Sequence, residues 1–362
     1  MNTLLRGVAA VGEPEPGTPP AGVPSPGFNW TFVLLSCWLI GGAYLDAWHH
    51  HNLIAPDTNP FTPYHFLLYS AEAAIAIFLG VNVLRNFRRF GTPQDLLPDS
   101  YGISLLGSVL FGIGGALDIL WHLRFGIEVS VAALFSPTHL LLMLSGGLIV
   151  SGPLRAAVRD GGTKATWPAV VSGALTLSIF TFWAQFDQPF MQRWASPTEE
   201  VFTSTAYIEE LGLLGLTLYA IMVSALLVLL LRRFTLPIGS ITVILVVNCA
   251  LTSVVEQHPE MITVALAAGI VGDAVLYMLK PSPARPWAFH LFSFFLPAVL
   301  IAFYLAFLAA TTGVWWPVSI WAGAMPVAGV AGWMISFVGL AGEGERAAQT
   351  RPGEEWTAWT WK

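Results

Sequence analysis

The chain has 362 residues, of which 55% are hydrophobic and 13% aromatic, and only 10% are charged. Soluble domains carry about 25% charged residues, and the mean hydropathy of +0.66 points the same way. Soluble enzymes and disordered proteins are therefore excluded, and the net charge of −6 argues against nucleic acid as a partner. The composition predicts an all-α integral membrane protein whose main partner is the lipid bilayer.

The chain divides into a leader, a long apolar region and a tail. Residues 1–27 are rich in proline and glycine, which predicts a flexible cytoplasmic leader. Residues 28–341 contain ten apolar runs near the roughly 20 residues that cross a bilayer. The polar tail 342–362 ends in three tryptophans, which favour the membrane interface or a docking contact with further membrane subunits. The ten predicted transmembrane helices are 29–49, 62–84, 101–122, 136–154, 167–186, 205–231, 236–255, 261–279, 287–311 and 317–340.

The basic residues are sorted to one side of these predicted helices. All Lys and Arg residues except Arg124 and Arg193 fall in the leader, the tail or alternate connections. Because cytoplasmic connections carry an excess of basic residues, we expect both termini to be cytoplasmic, in a multi-pass protein of the plasma (inner) membrane. The helices then form five sequential hairpins whose tips point outward.

Two hairpins, 28–84 and 101–156, share a pattern of acidic and histidine residues. In each, Asp-x-x-x-His ends the first predicted helix, and Phe-[Ser/Thr]-Pro-x-His begins the second. This likeness indicates an internal repeat of the kind that hairpin duplication produces. The matching residues are Asp46, His50 and His65 in the first hairpin, and Asp118, His122 and His139 in the second.

The pattern places one carboxylate and two imidazoles near the outer end of each hairpin. Residues four apart share a helical face, and proline suits the first turn of a helix. A carboxylate so close to hydrocarbon is costly unless it is paired or coordinated. We therefore predict a transition-metal site made of Asp46, His50, His65, Asp118, His122 and His139.

The ligand types narrow the choice of metal. Imidazole with carboxylate suits copper, iron or zinc, and thioethers would favour copper over the other two. Met143, Met191 and Met261 lie near the predicted outer ends. Copper is therefore favoured over iron or zinc. The alternative is that each Asp–His pair only forms a hydrogen bond that holds a hairpin together.

Two further acids are candidates for a proton relay. Glu72 lies seven residues after His65, inside a predicted span, where an ionisable residue is a functional candidate by default. Glu256 lies at the tip of the fourth hairpin and offers a general base.

The Asp-x-x-x-His sequences, each followed by a later histidine, resemble the Asp-His-His copper motif in the C subunit of particulate methane and ammonia monooxygenases. In that family twelve residues separate the two histidines, whereas fourteen and sixteen separate them here. The resemblance covers only these short stretches and implies a copper site.

The sequence leaves three functions open. The first is an oxidoreductase that uses the metal to oxidise a small or lipid-soluble substrate. The second is a cation or metal transporter, or a metal-delivery protein, whose anionic outer face collects cations. The third is a structural accessory subunit in which Asp–His hydrogen bonds stabilise the hairpins.

Overall fold

The computed structural model describes residues 24–52, 62–90, 96–98, 100–126, 131–197 and 205–341. Most of the predicted leader and the whole of the tail 342–362 lie outside these residues. Every named element within them is a helix, so the all-α prediction is confirmed. The α-helices are α1 (Pro26–His51), α2 (Pro63–Phe90), α3 (Gly102–Phe125), α4 (Val131–Phe135), α5 (Pro137–Val150), α6 (Gly152–Asp160), α7 (Trp167–Trp183), α8 (Thr205–Arg233), α9 (Ser240–Val255), α10 (Ile262–Leu279), α11 (Pro286–Thr311) and α12 (Val318–Leu340), with a 3₁₀ turn at Pro259–Met261.

Nine predicted runs each coincide with one of these helices and the run 136–154 coincides with α5 and the start of α6, but not all of the helices have the length of a span. Among the described residues, α1, α2, α3, α8, α10, α11 and α12 are long and apolar enough to cross a membrane. The pair α5 and α6 adds an eighth if it is one span bent by 41°. With 17 and 16 residues, α7 and α9 reach about 25 Å at 1.5 Å per residue. The structure therefore supports seven or eight spans, and the count of ten stays a prediction.

Polar side chains and prolines determine where several helices begin. Ser25 Oγ accepts a hydrogen bond from the Phe28 amide at 3.1 Å, and Pro26 opens α1. Ser136 Oγ accepts from the His139 amide at 3.3 Å, and Pro137 opens α5. These are N-caps, which satisfy amides that have no partner inside the helix. The prediction that Phe-[Ser/Thr]-Pro-x-His begins a helix is confirmed at Pro137, and α2 likewise begins at Pro63 of the other copy, whose Phe61 lies outside the described residues.

The short helix α7 joins two hydrophobic clusters. Val170 and Leu177 belong to the cluster that α8 to α12 form, while Leu175 and Ile179 belong to the cluster of α1, α2, α3 and α5. A helix that contacts neighbours on all sides must be apolar all round, which explains why the sequence of α7 resembles a membrane span. α7 contacts α1 and α5 of the first cluster and α8 and α9 of the second, and α9 also packs directly on α1.

A buried carboxylate fixes the start of α9 against α10. Asp273 of α10 accepts hydrogen bonds from the Ile241 and Thr242 amides at 3.1 and 3.0 Å, and from Thr242 Oγ1 at 2.6 Å. A Cβ at Gly269 would lie 2.5 Å from the Thr242 backbone, so glycine is required for this close approach. Asp273, a charged residue inside an apolar run, therefore caps a neighbouring helix.

Candidate metal centres

The first triad, Asp46, His50 and His65, lies where α1 ends and α2 begins. Asp46 Oδ1 is 3.8 Å from His50 Nε2, one turn further along α1, and 3.5 Å from His65 Nδ1 on α2. The two imidazole ring centres are 5.1 Å apart. Asp46 and His65 are mostly buried, and the His50 side chain is 34% exposed. His50 is therefore the residue through which the first triad is exposed at the protein surface.

The second triad, Asp118, His122 and His139, has a similar arrangement where α3 ends and α5 begins. Asp118 Oδ2 is 3.3 Å from His122 Nε2, and Asp118 Oδ1 is 3.5 Å from His139 Nε2. The imidazole ring centres are 5.7 Å apart. All three side chains are partly buried.

The spacing within each triad suits a metal ion. Metal bonds to nitrogen and oxygen of about 2.0–2.2 Å in tetrahedral geometry separate the ligand atoms by about 3.3–3.6 Å. The four Asp–His distances run from 3.3 to 3.8 Å, and the ligand atoms of each triad all lie within 4.8 Å of one another. The six predicted residues therefore form two groups of three, each able to hold one ion, instead of a single cluster.

The hydrogen bond of His122 determines which of its nitrogens faces Asp118. His122 Nδ1 lies 3.1 Å from the Gly126 carbonyl oxygen, and because a carbonyl only accepts, Nδ1 must carry the hydrogen. A neutral His122 then directs the lone pair of Nε2 at Asp118 Oδ2. Two lone pairs 3.3 Å apart repel each other unless a positive charge joins them. That charge is either a metal ion or a proton shared between His122 and Asp118.

Gly126 brings its carbonyl to His122 through an unusual backbone conformation. It ends α3 with a φ of 83°, which glycine adopts without the strain that a Cβ would cause. Its amide also donates to the His122 carbonyl at 2.9 Å. Metal-binding histidines commonly donate their second ring hydrogen to a carbonyl or a carboxylate, and Gly126 serves as that carbonyl here.

Hydroxyl groups position the other residues of the second triad. Thr138 Oγ1 donates to Asp118 Oδ1 at 2.6 Å. Ser136 Oγ lies 2.8 Å from His139 Nδ1, so Nε2 is the nitrogen that faces Asp118. The cap of α5 therefore also orients a candidate ligand. Contacts of this kind set the direction and the basicity of metal ligands.

The first triad has the same helix cap but a different imidazole orientation, because the nitrogen of His65 that faces Asp46 is also the one that contacts Thr62. Thr62 Oγ1 lies 2.9 Å from His65 Nδ1 and caps α2 through the His65 amide at 3.1 Å, as Ser136 does for α5. The position that matches Thr138 is Tyr64, which stacks on His49 with ring centres 4.2 Å apart. The two triads therefore differ in the side chain next to the helix-starting proline.

The two relay candidates lie outside the triads. Glu72 is 9% exposed, and its Oε1 accepts a short hydrogen bond from Ser108 of α3, so it links the two hairpins. Glu256 Oε1 lies 2.8 Å from His51 Nε2 and accepts from Gln192 Nε2 at 3.3 Å. It thereby links the ends of α1 and α9 beside the first triad. A relay role for Glu72 and Glu256 stays a prediction.

The three methionines pack in the hydrophobic core. Met191 and Met143 belong to the cluster around α1 and α5, and Met261 is fully buried among α8 to α12. Met143 is only partly buried and lies one helical turn after His139 on α5. The choice of copper stays a prediction.

Sequence reasoning missed the residues that support the triads. Thr138 and the serine or threonine of Phe-[Ser/Thr]-Pro-x-His were visible as parts of the motif, and their polar side chains were the available signal. The carbonyl of Gly126 left no such signal, since any residue has one.

Comparisons of the chain with protein-family models, curated proteins and solved structures found no match. The likeness to the monooxygenase copper motif therefore rests on the short Asp–His sequences alone. What the chain shows is a multi-span helical fold with two Asp–His groups that could bind a metal.

Proposed function

We propose that the chain is a membrane metalloprotein in which each triad binds one transition-metal ion. The observation that carries this proposal is the second triad, where the Gly126 carbonyl holds the His122 hydrogen on Nδ1 and leaves Nε2 facing Asp118. A metal ion neutralises the carboxylate and accepts both imidazole lone pairs at once. It thereby removes the cost of a charge kept close to hydrocarbon.

The ligand set favours a reactive ion over a purely structural one. Structural zinc sites are closed by four protein ligands, whereas catalytic sites keep a position open for water or substrate. Each triad supplies three ligands, which leaves such a position. Copper binds imidazole and carboxylate more tightly than iron(II) or zinc does, so copper is our first choice.

The surroundings of the triads fit a substrate that arrives through the bilayer. The hairpins that carry them expose large apolar side chains, among them Phe66 on α2 and Leu117 and Leu120 on α3. These lie within one or two turns of His65 and His122. We therefore propose that the chain is an oxidoreductase for a small or lipid-soluble substrate, in which the triads would hold the metal and the metal would supply the change of redox state.

The redox state of the bound metal tests this function. Chain purified in mild detergent and loaded with Cu(II) should give a paramagnetic resonance signal with nitrogen hyperfine structure, which a mild reductant removes and air restores. The His122→Ala, His139→Ala double variant should lose the part of the signal that belongs to the second triad. The matched control is His49→Ala, which removes a nearby histidine that stacks on Tyr64, and it should leave the signal unchanged.

The other outcomes separate the alternatives. A bound metal that does not change redox state, combined with metal flux into proteoliposomes, would indicate a transporter or a metal-delivery protein. A chain that takes up no metal, and whose stability falls in Asp118→Ala, would indicate an accessory subunit with a proton between Asp118 and His122.

A further inference from the structure

The segment 184–197 between α7 and α8 runs inside the helix bundle. It is built from turns, and most of its residues are buried. A Cβ at Gly215 of α8 would collide with Asp187, and one at Gly212 would collide with Trp194. The segment can therefore pack against α8 only because Gly212 and Gly215 have no side chains. Irregular backbone in a membrane protein is tolerated where it is buried in protein or lines a cavity.

Two neighbouring side chains of this segment each have a buried polar atom without a partner. Asp187 is 1% exposed, and its Oδ1 accepts from Trp194 Nε1 at 2.9 Å, while Oδ2 has no partner. Gln188 is 2% exposed. Its Oε1 accepts from the Phe190 and Met191 amides at 2.7 and 3.1 Å, which leaves Nε2 without one. An unpaired buried polar atom is costly, and functional sites are one place where it is kept.

Both side chains line one narrow, partly enclosed cavity, together with Thr181 of α7 and Tyr219 of α8. Thr181 and Tyr219 also belong to a network of buried hydrogen bonds. Tyr219 donates to Asn248 Oδ1 at 2.9 Å, Asn248 donates to Thr181 Oγ1 at 2.6 Å, and the Tyr44 hydroxyl donates to the Ser178 carbonyl at 2.7 Å. The network joins α1, α7, α8 and α9, so the cavity lies at the junction of the two halves of the bundle.

The size and chemistry of the cavity limit what can bind. It has no room for a water molecule, which excludes a hydrated ion. A bare metal ion needs several oxygen ligands, but the unpaired groups are one carboxylate oxygen and one amide donor, and the amide N–H repels a cation. A proton on the carboxylate needs neither space for a water molecule nor several oxygen ligands.

We propose that Asp187 is a proton-binding site separate from the metal triads. Its Oδ2 carries a proton as long as the segment 184–197 is packed inside the helix bundle. Because no water reaches the carboxyl, the proton exchanges with the solvent only when this segment moves. The inference does not depend on metal binding. Titratable and charged groups near the segment include Arg193 of the segment itself, Tyr207, Glu209, Glu210 and Tyr219 of α8, and Tyr44, Cys249, Glu256, His258, Glu260 and Tyr304 of the other elements. Arg193 and Glu260 pair at 3.4 Å.

Infrared spectroscopy of the full chain in lipid nanodiscs tests this proposal. Glu72 is a second buried carboxyl with an unpaired oxygen, so every protein carries Glu72→Gln. The reference protein should show the carbonyl band of a protonated carboxylic acid in a dry site, and this band should shift slowly after transfer into D₂O. Asp187→Asn should remove the band. The matched control Asp273→Asn removes a buried carboxylate that accepts three hydrogen bonds and should leave the band in place.

A second variant covers the case in which Asp187→Asn does not fold. Trp194→Phe keeps the carboxyl and removes the indole donor, so the band should move to higher frequency. A band that persists in Asp187→Asn, or that ignores Trp194→Phe, overturns the proposal. Loss of the band on addition of Na⁺ at constant pH also overturns it, because a cation and not a proton would then occupy the site.

Discussion

The candidate metal centres depend on a few contacts around each carboxylate. In the second triad, Gly126 fixes the tautomer of His122, and Thr138 donates to Asp118. These contacts orient the His122 imidazole and the Asp118 carboxylate toward each other in the absence of an ion. Preorganisation of this kind raises metal affinity, because less has to be ordered on binding.

Thr138→Val should weaken metal binding at the second triad without abolishing it. The substitution keeps the shape of the side chain and removes the hydrogen bond to Asp118, and loss of such a support typically costs 10–100-fold in affinity. Metal affinity measured by competition with a chelator checks this. Thr217→Val, which removes a hydroxyl that donates to the Leu213 carbonyl, is the matched control. Equal affinities for Thr138→Val and the wild-type chain would show that Thr138 has no part in the site.

At the residue scale, the sequence was informative where polar side chains are rare. Asp46 and Asp118 stand out in apolar runs, and helical periodicity places His50 and His122 beside them. The pairing of Glu256 with His51 was not predictable, because it joins the ends of two helices that are about 200 residues apart. Sequence spacing carries no information about such contacts.

At the scale of elements, the close packing of α9 and α10 replaces a conventional cap. α9 begins after Gly239 and has no capping side chain of its own. Asp273 supplies the acceptors from the neighbouring helix instead, and its negative charge also suits the positive end of the α9 dipole. A short helix is thereby held in place by its neighbour.

Asp273→Ala should destabilise the chain by about 2–3 kcal/mol, since hydrogen bonds to a charged group contribute about 1.5–3 kcal/mol. Asp273→Asn keeps one acceptor oxygen but turns an NH₂ donor toward another donor, so it should also destabilise the chain. Denaturant unfolding in detergent micelles gives both values. If both variants are as stable as the wild-type chain, the cap is unimportant for stability.

The helices themselves were easier to predict than the membrane spans. All ten runs fall on helices, because an apolar run of this length forms a helix both in a protein core and in a bilayer. The runs at 167–186 and 236–255 became α7 and α9, which are short and largely buried by neighbouring helices. Hydropathy cannot separate burial in protein from burial in lipid, so the count of ten could not be settled from the sequence.

At the scale of the whole molecule, the stability of the fold depends on pH through Asp187. Burial raises the pKa of this carboxyl from its ordinary value of 3.8 to about 7, against the opposing effect of the Trp194 hydrogen bond. Between these two values the folded chain binds more protons than the unfolded chain does. The contribution of Asp187 to the free energy of unfolding therefore falls as the pH rises through this range, and levels off above it.

Asp187→Asn should remove this decline, since the amide does not titrate. Relative to the wild-type chain, the variant should gain stability as the pH rises from 4 to 7. Unfolding midpoints measured across this range, with Asp273→Asn as the control, check the prediction. Parallel pH profiles for the wild-type chain and Asp187→Asn would contradict it.

The central claim is that the two triads bind two metal ions, and elemental analysis of gently purified chain tests it most directly. We expect about two equivalents of one transition metal in the wild-type chain and about one in the His122→Ala, His139→Ala double variant, because three ligands define one site. Removing His50 and His65 as well should leave almost none. Equal and negligible metal in all three proteins, after incubation with Cu(II), Fe(II) and Zn(II) in turn, would contradict the claim.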